Sequence, residues 1–185
     1  MDKVPRFETS RLRLRAIFPA DAKDIFEIYS DPQIAKFYDF PPFEKLAQAS
    51  DLISRITSWF QNDIAIRWAI VEKQSGKVVG TCCFDSFQPA YESCNLGYNL
   101  NRSFWNQGFV TEAVREIIQF AFENGIHNPV YRIGAMTLPE NRASEKVLTK
   151  LGFQQEGRMR SYGYWDGQRR DMNLFSLLKP DWTLN

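Results

Sequence analysis

Apolar positions recur along the chain with two periods. Between Glu8 and Ile17, Leu12 and Leu14 alternate with Arg11, Arg13 and Arg15, the two-residue period of a half-buried strand. Over residues 19–31 the spacing lengthens, and Ala22, Ile25, Phe26 and Tyr29 recur as they would on one side of a short helix. The aromatic stretch "FYDFPP" then reads as a loop, broken by Pro41 and Pro42. A second helix is predicted from about Phe43 to Gln61, with Leu46, Ala49, Ile53, Ile56 and Phe60 on one face. Residues 65–87 return to strand character as a hairpin turning at Ser75–Gly76, and "SCNLGYNL" (93–100) is a further strand.

The stretch "FWNQGFVTEAVREIIQFAFENG" (104–125) begins without helical character and then acquires it. From Val110 onward the apolar series Val110, Ala113, Val114, Ile117, Ile118, Ala121 and Phe122 predicts an amphipathic helix lying on a sheet. Residues 130–138 predict a strand. Residues 141–153 predict a helix with Ala143, Val147, Leu148 and Leu151 inward, Gly152 at C′ and Phe153 making the contact that follows it. The last segment reads as two strands joined at Asp166–Gly167. With no repeat, linker or low-complexity segment, the expectation is one α+β domain over residues 1–185.

Composition narrows the function classes. Of 185 residues, 44% are hydrophobic and 24% charged, the mix of a globular protein with a substantial core. The 23 Lys and Arg residues against 22 Asp and Glu give a net charge of +1, which argues against capture of nucleic acid. Cys82, Cys83 and Cys94 are an odd number, and the first two point to opposite faces of a strand, so reduced, packed thiols in a cytosolic protein are expected. One histidine, His127, and no Cys-x-x-Cys argue against a conventional zinc site, so no metal is expected. No apolar run approaches the ~20 residues that span a bilayer.

The start of the long helix carries the candidate chemistry. A first helical turn leaves four N–H groups unpaired at the positive end of the helix dipole. Gly108 stands where that turn begins, lets a ligand approach the backbone, and is followed by the Thr111 hydroxyl. Strand, glycine turn and helix N-terminus together suit an anion, although a glycine before a helix is common, and Glu112 would itself stabilise the turn or compete with an anion. Neither G-x-x-x-x-G-K-[ST] nor G-x-G-x-x-G occurs.

With these residues in place, the sequence resembles the GNAT superfamily of acetyl-CoA-dependent N-acetyltransferases, in particular its ribosomal-protein N-terminal acetyltransferase branch. The resemblance lies in "RFETSRLRLRAI", "KVVGTCCF", "LGYNLNRSFWNQGFVTEAVREIIQFAFENG", "PENRASEKVLTKLGFQQEGRMR" and "RRDMNLFSLL", in that order over roughly residues 7–180. It implies a GNAT fold: a mixed, mostly antiparallel twisted sheet flanked by helices, with a splayed strand pair holding coenzyme A. The family's R/Q-x-x-G-x-G/A pyrophosphate loop would be "WNQGFV", with Gln107, Gly108, Phe109, Val110 and Thr111 presenting amides. Trp105 replaces the usual Arg or Gln, and Asn106 stands where a glycine is frequent, a substitution that asparagine's tolerance of positive φ accommodates.

The resemblance further implies that Leu100 offers its backbone to the pantetheine arm and that the N-x-x-S pair, Asn141 and Ser144, borders the donor, Ser144 supplying the proton to the departing thiolate. Without it, Asn141 is a helix N-cap and Ser144 a first-turn residue. Tyr162 and Tyr164 are rival acids. Tyr38, Phe40 and Tyr162 would line the acceptor groove. Gly163 occupies the position of a glutamate found in some ribosomal-protein enzymes, and Asp85 and Glu92 are the remaining candidate bases, acting through water. The α-amine of a protein or peptide is the favoured acceptor. About a quarter of a group with a pKa near 7.7–8.0 is neutral at physiological pH, against roughly a thousandth of a lysine. A small-molecule amine and a non-catalytic acyl-CoA sensor are the alternatives, in a monomer or homodimer.

Overall fold

The computed structural model describes residues 3–126, 128–165 and 167–182, so His127 and Asp166 lie outside the described residues. Within these residues eight strands form one mixed sheet: β1 (Phe7–Glu8), β2 (Leu12–Arg15), β3 (Ala65–Glu72), β4 (Val78–Gln88), β5 (Ser93–Leu100), β6 (Arg132–Thr137), β7 (Gln154–Trp165) and β8 (Gln168–Leu178). Their order is β1-β2-β3-β4-β5-β6-β8-β7, and every neighbouring pair is antiparallel except β5 and β6. A parallel pair needs a crossover, which the long helix between β5 and β6 supplies.

Among the described residues five α-helices flank the sheet: α1 (Ala22–Tyr29), α2 (Pro32–Ala35), α3 (Leu46–Gln61), α4 (Phe109–Asn124) and α5 (Arg142–Lys150). The strand period sorts the core onto two faces. Ile66, Trp68 and Ile70 of β3 join Cys82, Phe84 and Leu96 under the apolar stripe of α4, where Ala113, Val114, Ile117, Ile118 and Ala121 are fully buried. Each large side chain in that stripe contributes roughly 1.5–3 kcal/mol by leaving water. Ala69, Val71 and Val78 face the other way, against Ile25, Ile28, Ala49, Ile53 and Ile56 of α1 and α3.

Element ends follow local chemistry. The first predicted helix is narrower than 19–31, because Pro19–Asp21 form a 3₁₀ turn before α1. The second starts at Leu46 rather than Phe43, whose ring stacks on Tyr29 at 5.3 Å while Gln48 accepts from the Glu44 and Lys45 amides to close the entry. Residues 32–35, not foreseen as a separate element, form α2 because Asp31 accepts from the Gln33 amide and Pro32 sits at its first position. At the end of α5, Gly152 has φ +91°, Phe153 N donates to Leu148 O at 3.0 Å and Gly152 N to Thr149 O at 3.1 Å, the paired bonds of a Schellman motif. All three cysteines are free and buried.

Candidate active site

The seam between β5 and β6 is short. Only Ser93, Cys94 and Asn95 pair with Arg132, Ile133 and Gly134; beyond them the strands part. On its other edge β5 stays paired with β4 up to Leu100. By the alternation of the ladder, the backbone groups of Leu96, Tyr98 and Leu100 face the opened slot. The Leu100 carbonyl accepts from the Trp105 indole at 2.8 Å, which leaves the Leu100 N–H to the slot. This bond also explains Trp105 in place of a basic residue: the indole braces the turn from β5 into α4. Across the slot, the Tyr98 hydroxyl donates to Ser144 O at 3.0 Å, tying β5 to α5.

At the mouth of α4, Asn106 has φ +59° and Gly108 φ +78°. Glu112 N donates to Gly108 O at 3.0 Å, and no described residue accepts from the amides of residues 106–111. Six successive amides are thus free at the positive end of a 16-residue helix. Glu112 is turned away from them. It accepts from Arg11 Nε at 2.7 Å, from Arg11 N at 3.1 Å and from the Thr9 hydroxyl, while Arg11 Nη1 donates to Gln107 O at 2.9 Å. Burial opposes its charge, but these bonds from Thr9 and Arg11 hold the carboxyl below its ordinary value. The carboxylate therefore fastens the turn between β1 and β2 to α4 and stays clear of the free amides. The Arg11 guanidinium also lies over the Phe109 ring at 4.3 Å.

Slot and mouth open into one cleft of about 640 Å³. Leu100, Gly108, Phe109, Val110, Thr111, Asn141, Ser144 and Tyr38 line it. Asn141 caps α5, its Oδ1 accepting from Ser144 N at 3.2 Å, and the Ser144 side chain lies beside the Tyr98 hydroxyl. Gln107 is exposed, its side chain donating to Ser103 O at 3.0 Å, so only its backbone belongs to the turn. Two expected acceptor residues lie elsewhere. Phe40 packs at 5.8 Å from Tyr29 and 5.1 Å from Tyr38 in the second core cluster, outside the cleft lining. Tyr162, 58% exposed on the β7–β8 hairpin, also lies outside it, as does Tyr164. Of the candidate bases, Asp85 lines the cleft, while Glu92 is exposed in a left-handed turn outside it.

The face of β3–β5 toward α1 and α3 carries polar groups that sequence reasoning passed over. Arg67, Cys83 and Gly97 lie in one row across the three strands, with Thr81 and Asn99 on one side and Asp85 on the other. Arg67 and Asn99 sit within runs dominated by apolar residues, and only the strand period could have placed them on this face. Asn99 Nδ2 donates to Tyr29 Oη at 2.7 Å and Tyr38 Oη at 3.0 Å. Burial pushes the Tyr38 phenol well above its usual pKa. Burial opposes the Arg67 charge, but Cys83, Tyr29, Tyr38 and Asp85 around it outweigh that, and the guanidinium titrates above its ordinary range. Thr137 of β6 points an unpartnered, buried hydroxyl at the slot lining.

Chemically, free amides at one end suit a diphosphate, and an open strand edge suits an extended amide-bearing arm. Comparison with known proteins agrees. Residues 11–154 match the acetyltransferase (GNAT) domain family. The chain belongs to this family, whose members are N-acetyltransferases with acetyl-CoA as donor. It is 36% identical to the uncharacterized N-acetyltransferase p20 of Bacillus licheniformis over 175 residues, covering 95% of this chain and 97% of the relative. It is 26% identical to the [ribosomal protein uS5]-alanine N-acetyltransferase of Escherichia coli over 187 residues, covering 96% and 93%. The crystal structure of ribosomal-protein-S5-alanine acetyltransferase from Vibrio fischeri shares the fold with a TM-score of 0.82 at 24% identity, covering 97% of this chain and 100% of that one. The microcin C7 self-immunity acetyltransferase MccE, solved with acetyl-CoA and AMP, has a TM-score of 0.83 at 22% identity, covering 92% and 93%. Among the described residues, no group of three or more His, Cys, Asp or Glu side chains is placed to hold a metal, and no helix is long and apolar enough to cross a membrane.

Proposed function

We propose that the chain is a single N-acetyltransferase domain that acetylates an α-amine by direct attack on the acetyl-CoA thioester. The amides of Gln107, Gly108, Phe109, Val110 and Thr111 hold the diphosphate, Leu100 N–H and Tyr98 backbone groups hold the arm, and Asn141 and Thr137 border it. The nitrogen–carbon bond forms as the carbon–sulfur bond breaks, the electron pair leaves on sulfur, and Ser144 Oγ–H protonates it. Asp85, on the acceptor face, takes the proton that the nitrogen loses, directly or through water. An α-amine suits this site, because a single half-exposed carboxylate is a weak base and such an amine is already substantially neutral.

The observation that carries the reading is the run of free amides opening into the unpaired β5 edge. Thiol release from acetyl-CoA, measured over peptides with free N-termini and over small amines, tests it. Ser144→Ala is expected to lower kcat about 10–100-fold with little change in the donor Kd. Tight donor binding without thiol release on any amine of either class would make the protein a sensor.

A further inference from the structure

Arg67 is held among apolar strands, with its Nε sealed from solvent and without a partner. Nη1 donates to Thr81 Oγ1 at 3.0 Å, and no carboxylate of the described residues forms an ion pair with it. The guanidinium as a whole is part-buried and lines the cleft, so its remaining N–H groups are open to a ligand there. A second donor stands beside it. Asn99 Oδ1 accepts from Thr81 N at 3.0 Å, and a backbone N–H has only a proton to offer, so the orientation of the Asn99 amide is set. Nδ2 then faces the phenols, and the oxygens of Tyr29 and Tyr38 both act as acceptors toward it. Each hydroxyl proton is left to donate elsewhere, and Tyr38, unlike the fully packed Tyr29, lines the cleft.

Asp85 balances this pair from the same face. It is diagonal to Arg67 in the register, because Arg67 opposes Cys83 while Asp85 opposes Ala65. Diagonal neighbours stand about 7–8 Å apart along the backbone, so Asp85 favours the guanidinium's charge without forming an ion pair with it, and the two can serve one small ligand. A dianionic phosphate on Arg67 would meet repulsion from Asp85, whereas a monoanion joined to an amine matches one cation and one anion.

We infer that the acceptor carries a carboxylate within a few bonds of its reacting amine, the carboxylate held by Arg67 and the Tyr38 hydroxyl and the nitrogen directed toward Asp85. The inference rests on the reading of the cleft as the site where an acyl donor meets an amine. Its source is either a free amino acid or a peptide whose first residue is acidic.

Two matched pairs test it on the intact protein: alanine against alaninamide, and Asp-Ala-amide against Asn-Ala-amide. The carboxylate member of at least one pair is expected to show kcat/KM about tenfold or more above its carboxamide. The first pair reports a free amino acid and the second a peptide. Binding of all four to the CoA-loaded protein, by calorimetry, needs no turnover and should show the same preference. Arg67→Met should bring the ratio near one through KM, and Arg67→Lys should keep part of it. Equal values within both pairs overturn the inference while thiol release from either leaves the acetyltransferase reading standing. If no amine releases thiol, the calorimetric comparison decides alone, and absent or equal binding overturns it.

Discussion

Substitution at Gly108 separates the backbone and electrostatic effects at the mouth of α4. The position has φ +78°, and a Cβ there meets nothing nearer than Arg11 Nη2 at 3.6 Å, an ordinary contact. Asparagine tolerates this region better than most residues, so Gly108→Asn keeps the turn and adds a neutral side chain. Gly108→Asp adds nearly the same shape with a charge. At about 5 Å from one phosphate charge, 332/(εr) gives a repulsion of roughly 0.8 kcal/mol at an effective ε of 80 and roughly 3.3 kcal/mol at 20. The aspartate variant should then bind CoA about fourfold to a few hundredfold more weakly than the asparagine variant. The nearby Arg11 guanidinium draws part of the new charge, which places the expected ratio in the lower part of that range, at about four- to thirtyfold. Calorimetric Kd values for both variants at 0.1 M and 1 M salt provide the assay, and the ratio should shrink as the Debye length falls from about 10 to about 3 Å. Equal affinities at the lower salt, in two folded variants, would refute a diphosphate at this mouth.

Other expectations concern the scaffold. Glu112→Gln, which removes the carboxylate bound by Thr9 and Arg11, should destabilise by about 1–2 kcal/mol and lower Tm by several degrees in a thermal melt. Glu156 accepts from Arg132 at 2.6 and 2.9 Å and from Ser176 at 2.6 Å, which holds its pKa at about 2. A depressed carboxylate stabilises the fold fully above its unfolded value, near 4.5, and loses that contribution as pH falls toward 2. The Tm difference between wild type and Glu156→Gln should therefore narrow over that window, and a constant difference would contradict the pairing. Burial pushes the Cys83 thiol up to about 11 and Cys94 to about 12, so at pH 8 roughly a thousandth or less is thiolate. No fast reaction with a disulfide reagent is expected in the native protein, against all three thiols after denaturation, and one rapid equivalent would show an accessible cysteine.

Periodicity made most of the fold legible, because β2, α3, α4 and α5 each bury one face and write their spacing into the sequence. Gly108 and the residues after it marked the mouth of α4 for the same reason: a helix start has a local signature. The acceptor side did not. Tyr38 and Phe40 come from one aromatic loop and diverge in role, since only Tyr38 reaches Asn99. Tyr162 looked like a groove residue until the β7–β8 pairing carried it outward. Arg67 gave no local signal, because its meaning comes from Cys83, Gly97 and Asn99, which only strand register brings beside it.

Three residue pairs join β5 to β6, and they are the sheet's sole parallel join. Strands β1–β5 and β6–β8 are therefore two antiparallel blocks that share little hydrogen bonding, and local opening should concentrate at their border. A ligand lying along that border supplies the missing rungs. Its arrival should slow amide exchange on both blocks together, so that occupancy and cohesion of the molecule rise and fall as one quantity.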